Sequence, residues 1–378
     1  MAKINKRTKS LLLNLGFVAV LVAVTVLVLF LNHKELNFGD ILDYFKNSNP
    51  IWIVGAFVCM LLFILFEAAS LYLIARFFGY KPKLISPVAY STADVFYSAI
   101  TPTAAGGQPA AVYYMARDGM SAGKASFGML VNVIGYTTAI FAIGIIALCI
   151  NPSLFGGIDA VFAQVLVIAG AVIQAGLLGL YIGCMFFGKA ILKLGNGIIT
   201  FLNKIKLVKN TEKWRGKIEE EVRKFGECRK ILRDKPAVLF TTLIFNILQR
   251  VSQTLIPCFV CLAIDPEAPF LDIFVLQAFV LFGYNSIPIP GGVGAYEYLF
   301  IHIYGQMYGK AFIFLALMIS RLFSYYFSML VSGIVTLTYH MARVKKLPAA
   351  DADERSEENG GNQPETVEGE EPPREDNL

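Results

Sequence analysis

Five ionisable residues, Glu67, Asp94, Arg250, Glu297 and Arg321, stand well inside apolar stretches of the sequence. A charge near the centre of a bilayer costs about 2.5–3.5 kcal/mol, so such residues are expected to face inward and to pair or line water. Arg250 and Arg321 would then attract a lipid phosphate. Asp94 and Glu297 would contact a cationic head group or carry a coupling proton. The competing reading is a structural salt bridge within the membrane, joining Glu67 or Glu297 to one arginine. Arg250 has company at helical spacing, because Asn246, Arg250, Gln253 and Pro257 recur at i, i+4, i+7 and i+11 as one polar stripe. Arg321 is followed by Ser324 and Ser328, one and two turns on.

Two further stretches carry chemistry through their backbone. Thr101-Pro102-Thr103-Ala104-Ala105-Gly106-Gly107 and Ser286-Ile287-Pro288-Ile289-Pro290-Gly291-Gly292 interrupt apolar segments. Non-helical backbone at membrane depth must be buried in protein or line a wet cavity, because unpaired N–H and C=O groups are costly in lipid. Proline ends one half-helix and glycine permits the reversal. The next half-helix then offers free N–H groups and a positive dipole end, which suits an anion such as a phosphate. The plainer reading is a tight bend that only lets helices pack.

Other motifs exclude more than they suggest. Cys258-x-x-Cys261 lies within an apolar span with no second pair or histidine nearby, and His33, His302 and His340 are scattered. No metal or cofactor is expected from them. Ser320, Ser324, Ser328, Ser332 and Thr336 repeat every four residues, and Gly179-x-x-x-Gly183 follows Gly176. These read as close helix-packing faces. No His or Lys stands where it could activate a serine, and no nucleotide-binding glycine motif occurs.

The elements that must position these groups are membrane helices. Of 378 residues, 56% are hydrophobic and 16% charged, far from the ~25% charged of a soluble domain. Leu11–Leu31, Ile51–Phe78, Phe127–Ile150 and Ala160–Phe187 are each long enough for a ~30 Å hydrocarbon core. Met1–Ser10 is basic, and the apolar stretch after it reads as a retained first span. Lys and Arg mark cytoplasmic loops. They place the N-terminus, the basic loop 188–235 (fourteen Lys/Arg against six Asp/Glu) and the C-terminal tail inside. The loop is expected to form interfacial helices on an anionic leaflet, with no need of a nucleic-acid partner. Residues 347–378, with eleven acidic and two basic side chains, read as a disordered acidic tail.

This charge map leaves Ser86–Asp118 and Leu271–Gly309 as segments that begin and end on one side, so each reads as a re-entrant helical hairpin. Gly106–Tyr113 aligns with Gly291–Tyr298 at an offset of 185 residues. At that offset Ile51–Phe78 falls on Ala237–Ala263, and Phe127–Ile150 falls on Phe312–Leu337. The expected fold is an all-α polytopic membrane protein. It has about six full transmembrane helices plus two opposed re-entrant hairpins, in an inverted repeat with units about 10–187 and 160–342 of a domain 1–346. Broken helices meeting near the midplane of inverted repeats are a transporter architecture.

The residues at the breaks also carry a resemblance. Thr101–Ala110, its continuation Arg117-Asp118-Gly119-Met120-Ser121, and Pro288-Ile289-Pro290-Gly291-Gly292-Val293-Gly294 with Glu297 are similar to the lysylphosphatidylglycerol synthase transmembrane region. That family is also described as flippase-like, and includes the membrane part of the multiple peptide resistance factor. The similarity spans about residues 10–342. It implies lipid translocation, and in two-part members the movement of aminoacylated phosphatidylglycerol to the outer leaflet, which gives antibiotic-peptide resistance. Those members add a large cytosolic acyltransferase domain that draws on aminoacyl-tRNA. Here the 32-residue tail and the 48-residue basic loop are each too short for such a domain.

The first expectation is therefore a translocase of the inner membrane. It would move an anionic or aminoacylated phospholipid, or a polyprenyl-phosphate lipid, between leaflets. The enzymatic alternative is phosphatidylglycerol lysyl transfer, performed alone or with a separate synthase, and only there does tRNA become a partner. The third is a membrane scaffold acting through the basic loop and the acidic tail.

Overall fold

The computed structural model describes residues 46, 48–101, 104–186, 236–287 and 289–344, with eight isolated positions between 197 and 233. The expected first span Leu11–Leu31, most of the basic loop, the acidic tail and Pro102 lie outside the described residues. In chain order the helices are α1 (Pro50–Phe77), α2 (Ile85–Ile100), α3 (Gly107–Arg117), α4 (Ala122–Ile150), the single turn α5 (Ser153–Gly156), α6 (Val161–Phe186), α7 (Pro236–Ile264), α8 (Phe270–Asn285), α9 (Ala295–Tyr304), α10 (Lys310–Arg321) and α11 (Ser328–Val344). No strand occurs among the described residues. Helices satisfy their own backbone, which lipid cannot do for them.

Five stretches are long and apolar enough to cross a bilayer: α1, α4, α6 as far as Gly183, α7, and the run Lys310–Ala342 through α10 and α11. They coincide with the last five of the expected spans. On α6, Val161, Val165, Ile168 and Val172 recur on one face and are all exposed. Such a face needs lipid or another apolar cover. The chain is an all-α polytopic membrane protein.

Local sequence explains where the central helix begins. Asn49 accepts the Ile51 N–H at 3.1 Å, and Pro50 fills the first helical position, where its missing donor is no loss. α1 then packs along α7. Trp52 stacks on Phe259 at 5.9 Å, and Gly55 leaves room for that same ring.

Two helix pairs are too short to span. α2 and α8 have 16 residues each, α3 has 11 and α9 has 10. At 1.5 Å per residue the longest of these reaches only about 24 Å. α2 packs on α3 and α8 on α9, as a hairpin requires. The breaks fall where proline and glycine predict them.

Three details differ from the sequence reading or refine it. The last span is not one regular helix, because Leu322–Phe327 winds as a π-helix between α10 and α11. Such turns insert an extra residue per turn and re-aim side chains, and here Ser324 and Tyr325 reach the central cavity. Ser320, Ser328, Ser332 and Thr336 are buried as a packing face would be, with Thr336 Oγ1 at 3.1 Å from Thr92 Oγ1. The glycines at 176, 179 and 183 have no neighbour among the described residues within 4 Å of where a Cβ would stand. Small size alone does not say what approaches it.

Candidate functional site

The first break is built around Thr101 and Asp94. Where α2 ends, the Thr101 hydroxyl donates to the Tyr97 carbonyl at 2.6 Å and accepts the Gly106 N–H at 2.9 Å. Ala104 takes the left-handed conformation with φ 53°. One turn back, Ser98 Oγ donates to Asp94 Oδ1 at 3.1 Å. Gly107 opens α3 directly against the Asp94 carboxylate and the Ser98 hydroxyl, so close that any side chain there would collide. Asp94 therefore stands at the positive end of α3.

The second break is tied by Arg321. Its Nε donates to Glu297 Oε1 at 2.7 Å, Nη1 to the Gly291 carbonyl at 3.1 Å and Nη2 to the Gly292 carbonyl at 3.3 Å. Glu297 Oε2 accepts the N–H of Gly294, which precedes α9. The guanidinium stacks over Tyr296 at 4.0 Å. Both charged side chains are deeply buried, at 4% and 5% exposure. Gly291, Gly292 and Gly294 take φ of 60°, 62° and 87°, a conformation that side chains disfavour. The carbonyls freed by the turn thus meet a donor that does not depend on water.

The sequence suggested free helix ends awaiting an anion. In the structure each half-helix that follows a break already has a carboxylate at its start, Asp94 for α3 and Glu297 for α9. A buried helix end without an acceptor is expensive, and at α9 the Glu297 carboxylate removes part of that cost by accepting the Gly294 N–H.

Between the breaks lies a cavity of about 210 Å³. It is smaller than the roughly 300–1,000 Å³ of a small-molecule pocket, a size for a polar head and not a whole lipid. Glu67, Asp94, Arg250 and Arg321 line it, so four of the five intramembrane ionisable residues converge on one space, with Glu297 directly behind Arg321. Glu67 accepts from Ser91 Oγ at 2.9 Å, and Asp94, one helical turn on from Ser91, lines the same cavity. Arg250 donates to Gln253 Oε1 at 2.7 Å and lies over Tyr136 at 4.7 Å and Phe63 at 5.5 Å. Its Nε is buried without a hydrogen-bond partner, and it makes no ion pair among the described residues.

Of the other residues singled out in the sequence, Gly291 and Gly292 line the cavity, while Thr101, Gly106 and Gly107 build the bend beside it. Pro290 starts the turn of the second break. The polar stripe of α7 divides: Arg250 and Gln253 face the cavity, whereas Asn246 turns to Ser70 and Asn132 in a separate buried knot at 3.3 and 3.2 Å. Sequence reasoning missed Tyr136, Tyr284, Tyr296 and Gln277 in the lining. An amide inside an apolar run was the available signal for Gln277, whereas a tyrosine fits core, interface and cavity alike. The lining holds no His, Lys or Cys among the described residues. It can bind and balance charge and hold protons.

A model described as "Lysylphosphatidylglycerol synthase TM region" matches residues 16–332, a range that contains both breaks and all five ionisable residues. A "UPF0104 membrane protein" of Archaeoglobus fulgidus is 23% identical over 335 residues, covering 87% of this chain and 97% of that protein. The match runs through the spans and the broken pairs alike. On the extent of the family match, the chain belongs to the lysylphosphatidylglycerol synthase TM region family of membrane proteins.

Proposed function

We propose that the protein is a lipid translocase of a bacterial or archaeal inner membrane, passing the phosphate-bearing head of a lipid through the central cavity while the acyl chains stay in lipid. One observation carries the reading. Three spans and the first broken helix pair bring four ionisable side chains to a small space, bordered also by the second break, inside an otherwise apolar bundle. Charges are expensive there, and a wholly structural role would pair all of them as Arg321 and Glu297 are paired. Arg250 instead presents a guanidinium held by one amide and two aromatic faces, a cation ready for a phosphate oxygen. The substrates are anionic or aminoacylated phospholipids or polyprenyl phosphates. On the positive-inside pattern the N-terminus and the basic loop face the cytoplasm.

The test is reconstitution in liposomes carrying fluorescent phosphatidylglycerol or phosphatidylethanolamine, read by dithionite quenching. The wild-type chain is expected to flip at least one lipid faster than empty vesicles. Arg250→Ala should lose roughly tenfold or more of that rate, the scale of one charge-assisted contact, while remaining monodisperse. Flipping no faster than in empty vesicles across these classes and polyprenyl phosphate overturns the reading. A new ninhydrin-positive lipid in cells expressing only this chain would favour the enzymatic alternative instead.

A further inference from the structure

The charges around the cavity can be counted. Three carboxyl groups, Glu67, Asp94 and Glu297, meet two guanidinium groups, Arg250 and Arg321. Glu67 of α1 faces Ser91 and Asp94 of α2 and Arg250 of α7. Asp94 faces Glu67, Ser98, Arg250 and, from α4, Tyr136, which itself faces Tyr181 of α6. Tyr284 of α8, Tyr296 of α9 and Tyr325 of the π-turn complete the ring around the arginines. Phenols and serine hydroxyls are uncharged at neutral pH. Fully ionised, the five groups would sum to one negative charge.

A proton on one of the two carboxyl groups Glu67 and Asp94 removes that excess. Both line the one small cavity, Glu67 bound to Ser91 and Asp94 to Ser98, and neither makes an ion pair among the described residues, so keeping both ionised there is costly. With that proton in place the site is neutral: two carboxylates face two guanidiniums. A phosphodiester head group arriving at Arg250 adds one negative charge to a region where unbalanced charge is costly. The Glu297 carboxylate is held by Arg321 and a backbone N–H. The carboxylate remaining in the Glu67–Asp94 pair is the group left to absorb the new charge.

We propose that the Glu67–Asp94 pair is a proton site coupled to head-group binding at Arg250, so that a lipid with one net negative charge enters the cavity together with one proton. The proton comes from water and forms an O–H bond on the remaining carboxylate, and no other bond changes. The site is neutral before and after. A zwitterionic head brings no net charge and draws no proton. The inference rests on the translocase reading and adds a substrate rule to it: proton stoichiometry follows the net charge of the head group.

Calorimetric titration of the full chain in detergent tests this, using dihexanoylphosphatidylglycerol and dihexanoylphosphatidylethanolamine in two buffers of different ionisation enthalpy. The expected uptake is about one proton per phosphatidylglycerol bound and about none per phosphatidylethanolamine, with affinity for the former falling up to about tenfold per pH unit on raising pH. Glu67→Gln and Asp94→Asn alone leave one carboxylate each and should keep the uptake. The double variant should bind phosphatidylglycerol without it. Wild-type binding with no proton uptake, equal uptake for both lipids, or uptake persisting in the double variant overturns the coupling alone. Absence of any binding that Arg250→Ala removes overturns the coupling and the head-group site together. The two-lipid comparison needs no variant, so a variant that fails to fold does not shield the proposal.

Discussion

The two helix breaks use the same parts in different ways. Each has a carboxylate at the start of its second half-helix, and each borders the same cavity. At the second break the carboxylate, Glu297, is locked by Arg321, whose remaining donors also hold the Gly291 and Gly292 carbonyls. At the first, Asp94 accepts from Ser98 and makes no ion pair among the described residues, while Glu67 and Arg250 line the same cavity. One break has spent its arginine on its own backbone, and the other leaves its arginine facing the space between them. The difference separates an arginine held in a buried ion pair from one that makes none among the described residues. Of the two readings the sequence left open, the salt bridge is present at Arg321, and the site reading rests on Arg250.

The comparison breaks most readily at the two arginines. Arg321→Ala would leave Glu297 buried without its counter-charge and two carbonyls without donors. Removing one partner of a buried pair costs about 3–5 kcal/mol. The expected result is a strongly lowered unfolding temperature in detergent, or loss of the monodisperse peak on size exclusion. Arg250→Ala should leave stability near wild type while losing transport. If the two variants exchange these phenotypes, the division of labour is wrong.

Glycine substitutions sharpen the same contrast with a smaller effect. Gly291→Ala forces a side chain into a left-handed backbone and against the Tyr325 ring, which should destabilise by about 1–3 kcal/mol. Gly106→Ala meets a different obstacle. Its φ of −82° suits any residue, and the atoms in the way belong to the Thr101 side chain. It should be the milder variant in a denaturant or thermal titration. Equal losses would mean that the first break is as rigidly specified as the second.

How much of this was legible follows from what each residue costs. A charge in an apolar run is conspicuous because lipid penalises it, so all five ionisable residues could be marked before any contact was known. The breaks were legible because Pro288, Pro290 and the Gly106-Gly107 and Gly291-Gly292 doublets cannot sit inside a regular helix without consequence. Partner choice was not legible. Glu297 and Arg321 are 24 residues apart and lie on different helices, and the selection of Arg321 over Arg250 is made by packing alone. The carboxylate at the start of α3 was hidden in the same way, since Asp94 lies on another helix, whereas Glu297 stands only three residues after Gly294 and caps its own helix. The π-turn at Leu322–Phe327 left no composition signal; within it the Tyr325 hydroxyl donates to the Ala99 carbonyl at 3.0 Å, a contact between distant parts of the chain. At Gly176, Gly179 and Gly183 no described residue stands within 4 Å of where a Cβ would be, so the packing face read from their spacing has no partner among the described residues.

The smallest expected effect lies at Thr101. Valine has nearly the same shape, so Thr101→Val removes only the hydroxyl. The Tyr97 carbonyl keeps the Thr101 backbone N–H as a donor at 3.1 Å, but the Gly106 N–H loses its acceptor at 2.9 Å. One unmet, partly buried donor is worth about 1 kcal/mol, several-fold less than the loss expected for Arg321→Ala. Because Gly106 precedes the half-helix that rests on Asp94, the same variant would also loosen how α3 meets that carboxylate. The measurement is a pair of unfolding titrations on Thr101→Val and Arg321→Ala under one detergent condition. A clear gap supports a lightly pinned first break beside a tightly tied second. A Thr101→Val loss as large as that of Arg321→Ala would show the first break to be equally fixed, and the contrast between the two would have to be abandoned.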